Sequence, residues 1–467
     1  MKALIVHYHL KPGGVTTVIR RQLSSLAVMG IDAAVLSGEA PRDFRGAVSV
    51  EPALAYDGPG SGLEPDPRRV DAIVAAIRRE ADALGDDAVV HAHNPTIRKN
   101  SSMLAALSEL AASGRRIVMH VHDLAEDWRP GVYSSQPYPE GVTWAAINRF
   151  DASALLEAGA GRVEYLPDPV ARIPGPEPGG RGPAVAPAGP GLVLFPVRGI
   201  RRKNLGEALL LSMFVRPGSR VGVTLPPTSP KDVPYYDSWR GLAAELRAPI
   251  GFGVGLERGL DELYSEARAA LTTSVKEGFG MSFLEPALRG RVTLGRRLPR
   301  VVSDFESEGL VFPALYGSIA AASGLFDEDA FARRVRAVVE SALEAYGRSA
   351  GGFAAKVAED VLGSGTADFG RLDEPAQAQA LRALASDRRA RAAFAEANPF
   401  LEGWDAAADG MRPPSTEALE PWSESLYGRR LSDLYRGVLE SGGGAAPEKE
   451  ALLNLYLRPE AFYGVGV

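Results

Sequence analysis

The sequence predicts an α/β chain with two parallel-sheet domains, a linker between them and a mainly helical extension after them. Three observations carry this. Short apolar runs alternate with longer amphipathic stretches over residues 1–170, the alternation stops in a segment of Pro, Gly and Ala, and it then restarts. At 467 residues the chain is also too long for a single core.

The elements follow in order. Runs 4–6, 33–36, 88–90, 117–121 and 163–166 read as strands, and 15–28, 69–84 and 102–112 carry apolar residues at helical spacing. Residues 174–191 have hardly any large apolar side chain and read as a linker, which places a first domain at 1–173 and a second at 192–350. In the second domain, strands at 192–197, 221–225, 250–254, 271–274 and 292–294 alternate with helices at 205–214, 238–246 and 260–270. The extension, 351–467, is expected to be helical, with one long helix at 376–397 started by Asp373 and Pro375, and another at 451–462. Its apolar side chains, Leu452, Leu453 and Tyr456 among them, are too many for a solvated tail, so part of it is expected to pack on residues 1–170. A homodimer is the alternative way of burying them.

Composition narrows the function. With 45% hydrophobic and 24% charged residues and a net charge of −6, the chain resembles an ordinary soluble enzyme, and nucleic acid is not an expected partner. There is no Cys, which excludes disulfides and thiolate metal sites. No segment approaches the ~20 apolar residues of a membrane helix, and a cytoplasmic location is expected.

All six His residues form three His-x-His pairs at predicted strand ends: His7/His9, His91/His93 and His120/His122. Residues i and i+2 of a strand share a face, and strand ends in a parallel sheet open toward the ligand. Zinc is a competing explanation, but the spread over three strands with no evident carboxylate partner counts against it, so no metal is expected. Gly13-Gly14 opens the first helix, where backbone amides can approach an anion. In the second domain Arg198 and Lys203 flank a loop directly after a strand and suit a diphosphate, while Arg201 and Arg202 read as a solvated basic loop. Farther on, Glu277 and Glu285 bracket Gly278-Phe279-Gly280, a turn whose amides can hold phosphate or sugar oxygens while a carboxylate accepts hydroxyls.

Arg198-x4-Lys203 with Glu277-x7-Glu285 resembles the signature of glycosyltransferase family 4, retaining enzymes of the GT-B fold, in which two Rossmann-like domains face each other across a cleft. The opening 7–15, Val90-His-Ala-His93-Asn94 and Val121-His122-Asp123 are similar to that family's loops, and the resemblance covers roughly residues 1–345. It implies a hexosyltransferase whose donor is a nucleotide-diphosphate sugar, with no cofactor and no metal. Arg198 and Lys203 would neutralise the diphosphate, Gly14 would offer it an amide, Glu285 would hold the ribose, and Glu277 and His122 would contact the transferred sugar. His9, His93, Asn94 and Asp123 fall on the acceptor side. The acceptor itself, whether small molecule, lipid-linked or saccharide, is open. The chain departs from the family in carrying five Arg over residues 289–300. From these, Arg296 or Arg297 is expected to recognise an anionic acceptor. A nucleotide-sugar epimerase and a non-catalytic binding module are the alternatives.

Overall fold

The computed structural model describes residues 1–41, 44, 46–58, 60–170 and 189–465; residues 174–188 of the expected linker lie outside them. The chain divides into two compact units, Met1–Ala171 with Glu420–Leu457, and Arg172–Leu419 with Arg458–Val467.

In the first unit the strands are β1 Lys2–His7, β2 Asp32–Ser37, β3 Val48–Val50, β4 Ala88–His93, β5 Ile117–Val121, β6 Thr143–Ala146 and β7 Val163–Tyr165. They pair in parallel in the order β3-β2-β1-β4-β5-β6-β7. The helices are α1 Gly14–Val28, α2 Pro67–Leu84, α3 Met103–Ala112 and α4 Arg149–Glu157. Helix α2 starts where it does because the Asp66 carboxylate accepts from Arg68 N and Pro67 needs no amide partner, and it stops at Gly85 with φ 118°. Helix α1 differs: Gly13 caps it with no side chain, leaving its first amides free of a local acceptor.

The second unit repeats the scheme. Its strands are β8 Leu192–Arg198, β9 Arg220–Leu225, β10 Ile250–Phe252, β11 Ala269–Thr272, β12 Val292–Arg296 and β13 Leu315–Tyr316, in the parallel order β10-β9-β8-β11-β12-β13. Strands β14 Ala320–Ala322 and β15 Thr366–Asp368 form a small antiparallel pair. Helices α5 Leu205–Ser212, α6 Val233–Glu245, α7 Leu260–Glu266, α8 Met281–Leu288, α9 Pro299–Ser307, α10 Glu328–Ala345, α11 Phe353–Leu362, α12 Glu374–Ser386 and α13 Arg388–Ala397 belong to this unit. In each sheet the strand order reverses beside the first strand, between β1 and β4 and between β8 and β11. Ligands of open parallel sheets bind at such a point, beyond the carboxyl ends of the strands.

The extension is not one body. Residues 351–419 are part of the second unit, where Trp404 Nε1 donates to Leu211 O at 2.8 Å and Asp405 accepts from Arg216 and Ser219. The expected long helix at 376–397 is two, because Asp387 is extended and its carboxylate caps α13 by accepting from Arg389 N and Ala390 N. The chain then returns to the first unit as α14 Glu424–Ser441 and α15 Lys449–Tyr456.

These two helices cover opposite faces of the first sheet. Alternate residues of β1 point to opposite sides: Leu4 and Val6 share a core with Leu452 and Tyr456 of α15, and Ala3 and Ile5 share one with Tyr427, Leu431 and Tyr435 of α14. Tyr456 also donates to Asp151 Oδ1 at 2.6 Å. Leu452 is fully buried, so Leu452→Ala should cost about 2–5 kcal/mol of stability through lost contacts and a cavity. Chemical denaturation measures this; an unchanged midpoint would mean that α15 does not complete this core.

Candidate functional site

Of the functional residues expected in the second unit, Arg198, Lys203 and Glu277 lie on the loops at its switch point. Arg198 ends β8, and the chain turns through 201–203 into α5; Val275 to Gly280 follow β11 and lead into α8. Val275 N donates to Arg202 O at 2.9 Å and Thr273 Oγ1 to Lys203 O at 2.9 Å, which ties the two loops together. Asn204, in the left-handed region at φ 51°, starts α5, and its amide side chain is held by Glu207 and Gln377.

Lys203 and Glu277 form a buried ion pair, with side chains 12% and 9% exposed. Arg202 donates from Nη1 to Glu277 Oε2 at 2.5 Å and to Lys276 O at 3.0 Å. It is therefore not the solvated side chain that the sequence suggests, although 42% of it remains exposed. Arg201 likewise pairs with Glu374 at 2.9 Å. Burial pulls the Lys203 ammonium down to about 8 against the opposing pull of Glu277. Burial pushes Glu277 up, but Arg202 and Lys203 outweigh it and hold the carboxyl at about 2.

Arg198 is half-buried, and its guanidinium has no hydrogen bond or ion pair among the described residues. A cation left open on the same strand-to-helix turn as an ion pair is a ready anion site. Gly280 has φ 90°, and a Cβ there would lie 2.3 Å from Val301 Cγ1, so only glycine fits this start of α8. Phe279 is buried against Phe305, their rings edge to face with centroids 5.5 Å apart. Glu285 lies half-buried on α8, close enough to Tyr264 to raise the phenol, whose largest shift comes from burial.

Arg296 does not serve the expected role. It is 1% exposed, donating to both oxygens of Glu207 at 2.8 and 2.7 Å and both of Asp368 at 2.8 and 2.7 Å. All its strong donors are used inside the fold, so it cannot recognise an acceptor. Arg297 points its fork at Glu306 on α9, with Nη1 2.7 Å from Oε1.

The first unit gathers five histidines behind its switch point. His91 and His120 share a hydrogen bond of 3.0 Å, as do His93 and His122. His93 Nε2 donates to Gln22 Oε1 at 2.7 Å, and Gln22 Nε2 donates to Tyr435 Oη at 3.0 Å. His7 Nδ1 lies 3.2 Å from His93 O. Burial holds His7 and His91 down at about 3 and His93 and His120 well below the usual range, so these rings are neutral at pH 7. His122, expected to contact the sugar, is folded into this network: Nε2 meets His93, and Nδ1 faces Asp168 Oδ1 at 3.6 Å. Its one nitrogen outside a hydrogen bond, Nδ1, is turned toward a buried carboxylate. Neither Gln22, Tyr435 nor Asp168 was singled out by the sequence, because no local pattern marks a residue whose partner is far along the chain.

The remaining expected residues stand at the mouth of that sheet. His9 Nε2 is 3.1 Å from Tyr56 Oη. Asn94, at φ 53°, accepts from the amides of His122 and Asp123 at 3.3 and 3.0 Å, joining the loops after β4 and β5. Asp123 pairs with Arg129 at 2.8 Å. A Cβ on Gly14 would meet open space, so sterics do not require glycine there.

No family model matches the chain. It is 28% identical over 349 residues to the mannosylglucosyl-3-phosphoglycerate synthase of Petrotoga mobilis, an alignment covering 65% of this chain and 66% of that protein, just under two thirds of its length. Among solved structures it is similar to a sucrose-phosphate synthase from Thermosynechococcus elongatus, with TM-score 0.54 and 15% identity over 94% of this chain and 99% of that one. It is also similar to a glycosyltransferase from Rickettsia africae, with TM-score 0.52 and 11% identity over 94% and 99%. An Anabaena protein solved in complex with UDP-glucose gives TM-score 0.50 and 12% identity over 94% and 100%. Two parallel α/β domains of seven and six strands match the GT-B glycosyltransferase fold of these neighbours. Among the described residues no helix is long and apolar enough to cross a membrane.

Proposed function

We propose that the protein is a retaining glycosyltransferase that moves a hexosyl group from a nucleoside-diphosphate sugar to a hydroxyl of a phosphorylated acceptor. The open Arg198 guanidinium on the same strand-to-helix turn as the Lys203–Glu277 pair carries this reading, since it offers two cations where β8 ends and α5 begins. In the transfer the bond between the anomeric carbon and the diphosphate oxygen breaks, and a bond from that carbon to the acceptor oxygen forms. The hydroxyl proton passes to the departing phosphate. Negative charge grows on the diphosphate, so preorganised cations supply the main stabilisation. Arg198 and Lys203 meet that charge, Glu277 holds Lys203 in place and next to the sugar, the Gly278–Gly280 turn offers amides, and Glu285 takes the ribose hydroxyls. The Petrotoga relative's name denotes a sugar-bearing phosphoglycerate, which supports a phosphorylated acceptor, and the Anabaena neighbour's UDP-glucose makes uridine the first base to try.

The test is a panel of nucleoside-diphosphate sugars followed by melting temperature and by mass spectrometry of products with phosphorylated glycerate and glycosyl-glycerate acceptors. A donor at 100 times its Kd should add about 2.7 kcal/mol. Donor conversion in the absence of any acceptor would mean an epimerase instead. Within the site, Glu285→Gln should weaken nucleotide binding roughly 10-fold, a loss of ~1.4 kcal/mol in keeping with a hydrogen bond to a charged acceptor. Glu277→Gln should lower kcat far more than nucleotide affinity. If both variants change only the melting temperature, the two carboxylates are structural.

A further inference from the structure

The histidine network ends on a group of atoms that protein partners do not satisfy. The proton order can be followed from Gln22. Its carbonyl oxygen accepts from His93 Nε2, and His93 Nδ1 meets His122 Nε2 at 3.0 Å on the other side of the ring. The other ring nitrogen, His122 Nδ1, faces the Asp168 carboxylate at 3.6 Å. That gap is too wide for a hydrogen bond. Both side chains are buried, and Asp168 Oδ1 has no hydrogen-bond partner among the described residues. His120 Nε2, also without one, lies beside them, the Leu166 carbonyl near its ring falling short of bonding geometry. One ligand atom from each of His120, His122 and Asp168 lies within 4.8 Å of the others. Tyr427 of α14 adds a buried hydroxyl without a partner among the described residues, near enough to feel the Asp168 charge.

We infer that His120, His122 and Asp168 form a closed structural site for a divalent transition-metal ion of the zinc class, lying within the first unit. Two imidazoles and a carboxylate are the donor set such an ion takes, with bonds of ~2.0–2.1 Å and hence ligand atoms ~3.3 Å apart. The 3.6 Å between His122 Nδ1 and Asp168 Oδ1 is already close to that spacing, and the His120 nitrogen stands within 4.8 Å of both. His120 ligates through Nε2 once its proton sits on Nδ1 and is donated to His91 Nε2; the His91 proton then sits on Nδ1 toward the Tyr435 oxygen, and the Gln22 amide must give up its 3.2 Å contact with that nitrogen. His93 then acts behind the ligands, fixing the His122 tautomer from the far side of the ring. The carboxylate that the His-x-His pattern lacks in the sequence is Asp168, three residues beyond β7. Such an ion would bind the end of β5 to the segment after β7.

This inference does not depend on the proposed transfer reaction, and its test reads metal rather than turnover. The full chain, made without a polyhistidine tag, is freed of metal with chelator and loaded with Zn2+ or Co2+, and unbound ion is removed by gel filtration. The expected result is about one equivalent of zinc per chain, a visible Co2+ absorption of tetrahedral strength, and a melting temperature raised by the metal. The isosteric Asp168→Asn should lose the Co2+ band and bind zinc at least ~10-fold more weakly, as loss of a ligand requires. His9→Ala, outside the cluster, should keep both. Wild-type protein with neither bound metal nor a Co2+ band would overturn the site and leave a buried water as the partner of these atoms. Metal retained unchanged in Asp168→Asn would overturn the ligand set.

Discussion

Lys203→Ala should lower kcat/KM for transfer at least ~100-fold while leaving the fold intact. The size follows from removing one preorganised charge from a transition state that develops negative charge, which costs about 2.7–4 kcal/mol. The fold should survive because Glu277, the partner left behind, keeps Arg202 at 2.5 Å. The same lysine predicts a pH dependence. Its ammonium is held down at about 8 in the free enzyme, and kcat/KM reports free-enzyme groups. Rising pH should therefore remove the charge and lower kcat/KM through about pH 8, where an unperturbed lysine would hold it to ~10.4. Lys203→Arg, which stays charged, should flatten that limb. Near wild-type turnover in Lys203→Ala, or an alkaline limb that persists in Lys203→Arg, would remove Lys203 from the chemistry.

Sequence periodicity carried the architecture further than the site. Strands β4 and β5 stand out because both faces of their sheet are covered, which makes their apolar runs continuous. Strand β6, Thr-Trp-Ala-Ala, is too short and too plain to stand out, and β3 is three residues with little burial. At 376–397 the helical pattern runs unbroken through Asp387, and only the turn of its backbone shows the break. Residues placed by local chain geometry were legible: Arg198, Lys203, Glu277 and Gly280 all stand where a strand gives way to a helix. Residues whose roles depend on distant partners were not. The arginines at 289–300 look alike in sequence, yet Arg289 reaches an exposed aspartate while Arg296 is sealed between two carboxylates 89 and 72 residues away. Likewise nothing local tells that Gln22, 69 residues before His91, orders a chain of histidines.

Arg296→Met should destabilise the second unit by about 3–5 kcal/mol, the cost of leaving buried carboxylates without their cation. Glu207 is fully buried, and Tyr316 Oη, donating at 2.6 Å, is a small replacement for a guanidinium. Burial already pushes Glu207 up, with Arg296 as the chief opposing influence. Without Arg296 its folded pKa should exceed its unfolded value of ~4.3, so the carboxyl prefers to be protonated in the fold. At low pH both states hold the proton and the penalty vanishes; as pH rises above the unfolded value, ionisation in the unfolded chain draws stability away. The deficit of Arg296→Met relative to wild type should thus be smallest at mildly acid pH and full by neutrality. Pairing it with Glu207→Gln should recover part of the loss, because the two act on one network. Chemical denaturation at pH 5 and pH 7 measures all three variants. A stable Arg296→Met protein with a raised acceptor KM would restore Arg296 to the acceptor. An unstable one, with an unchanged acceptor KM where it remains folded, makes it the cation that holds β12 to α5 and β15.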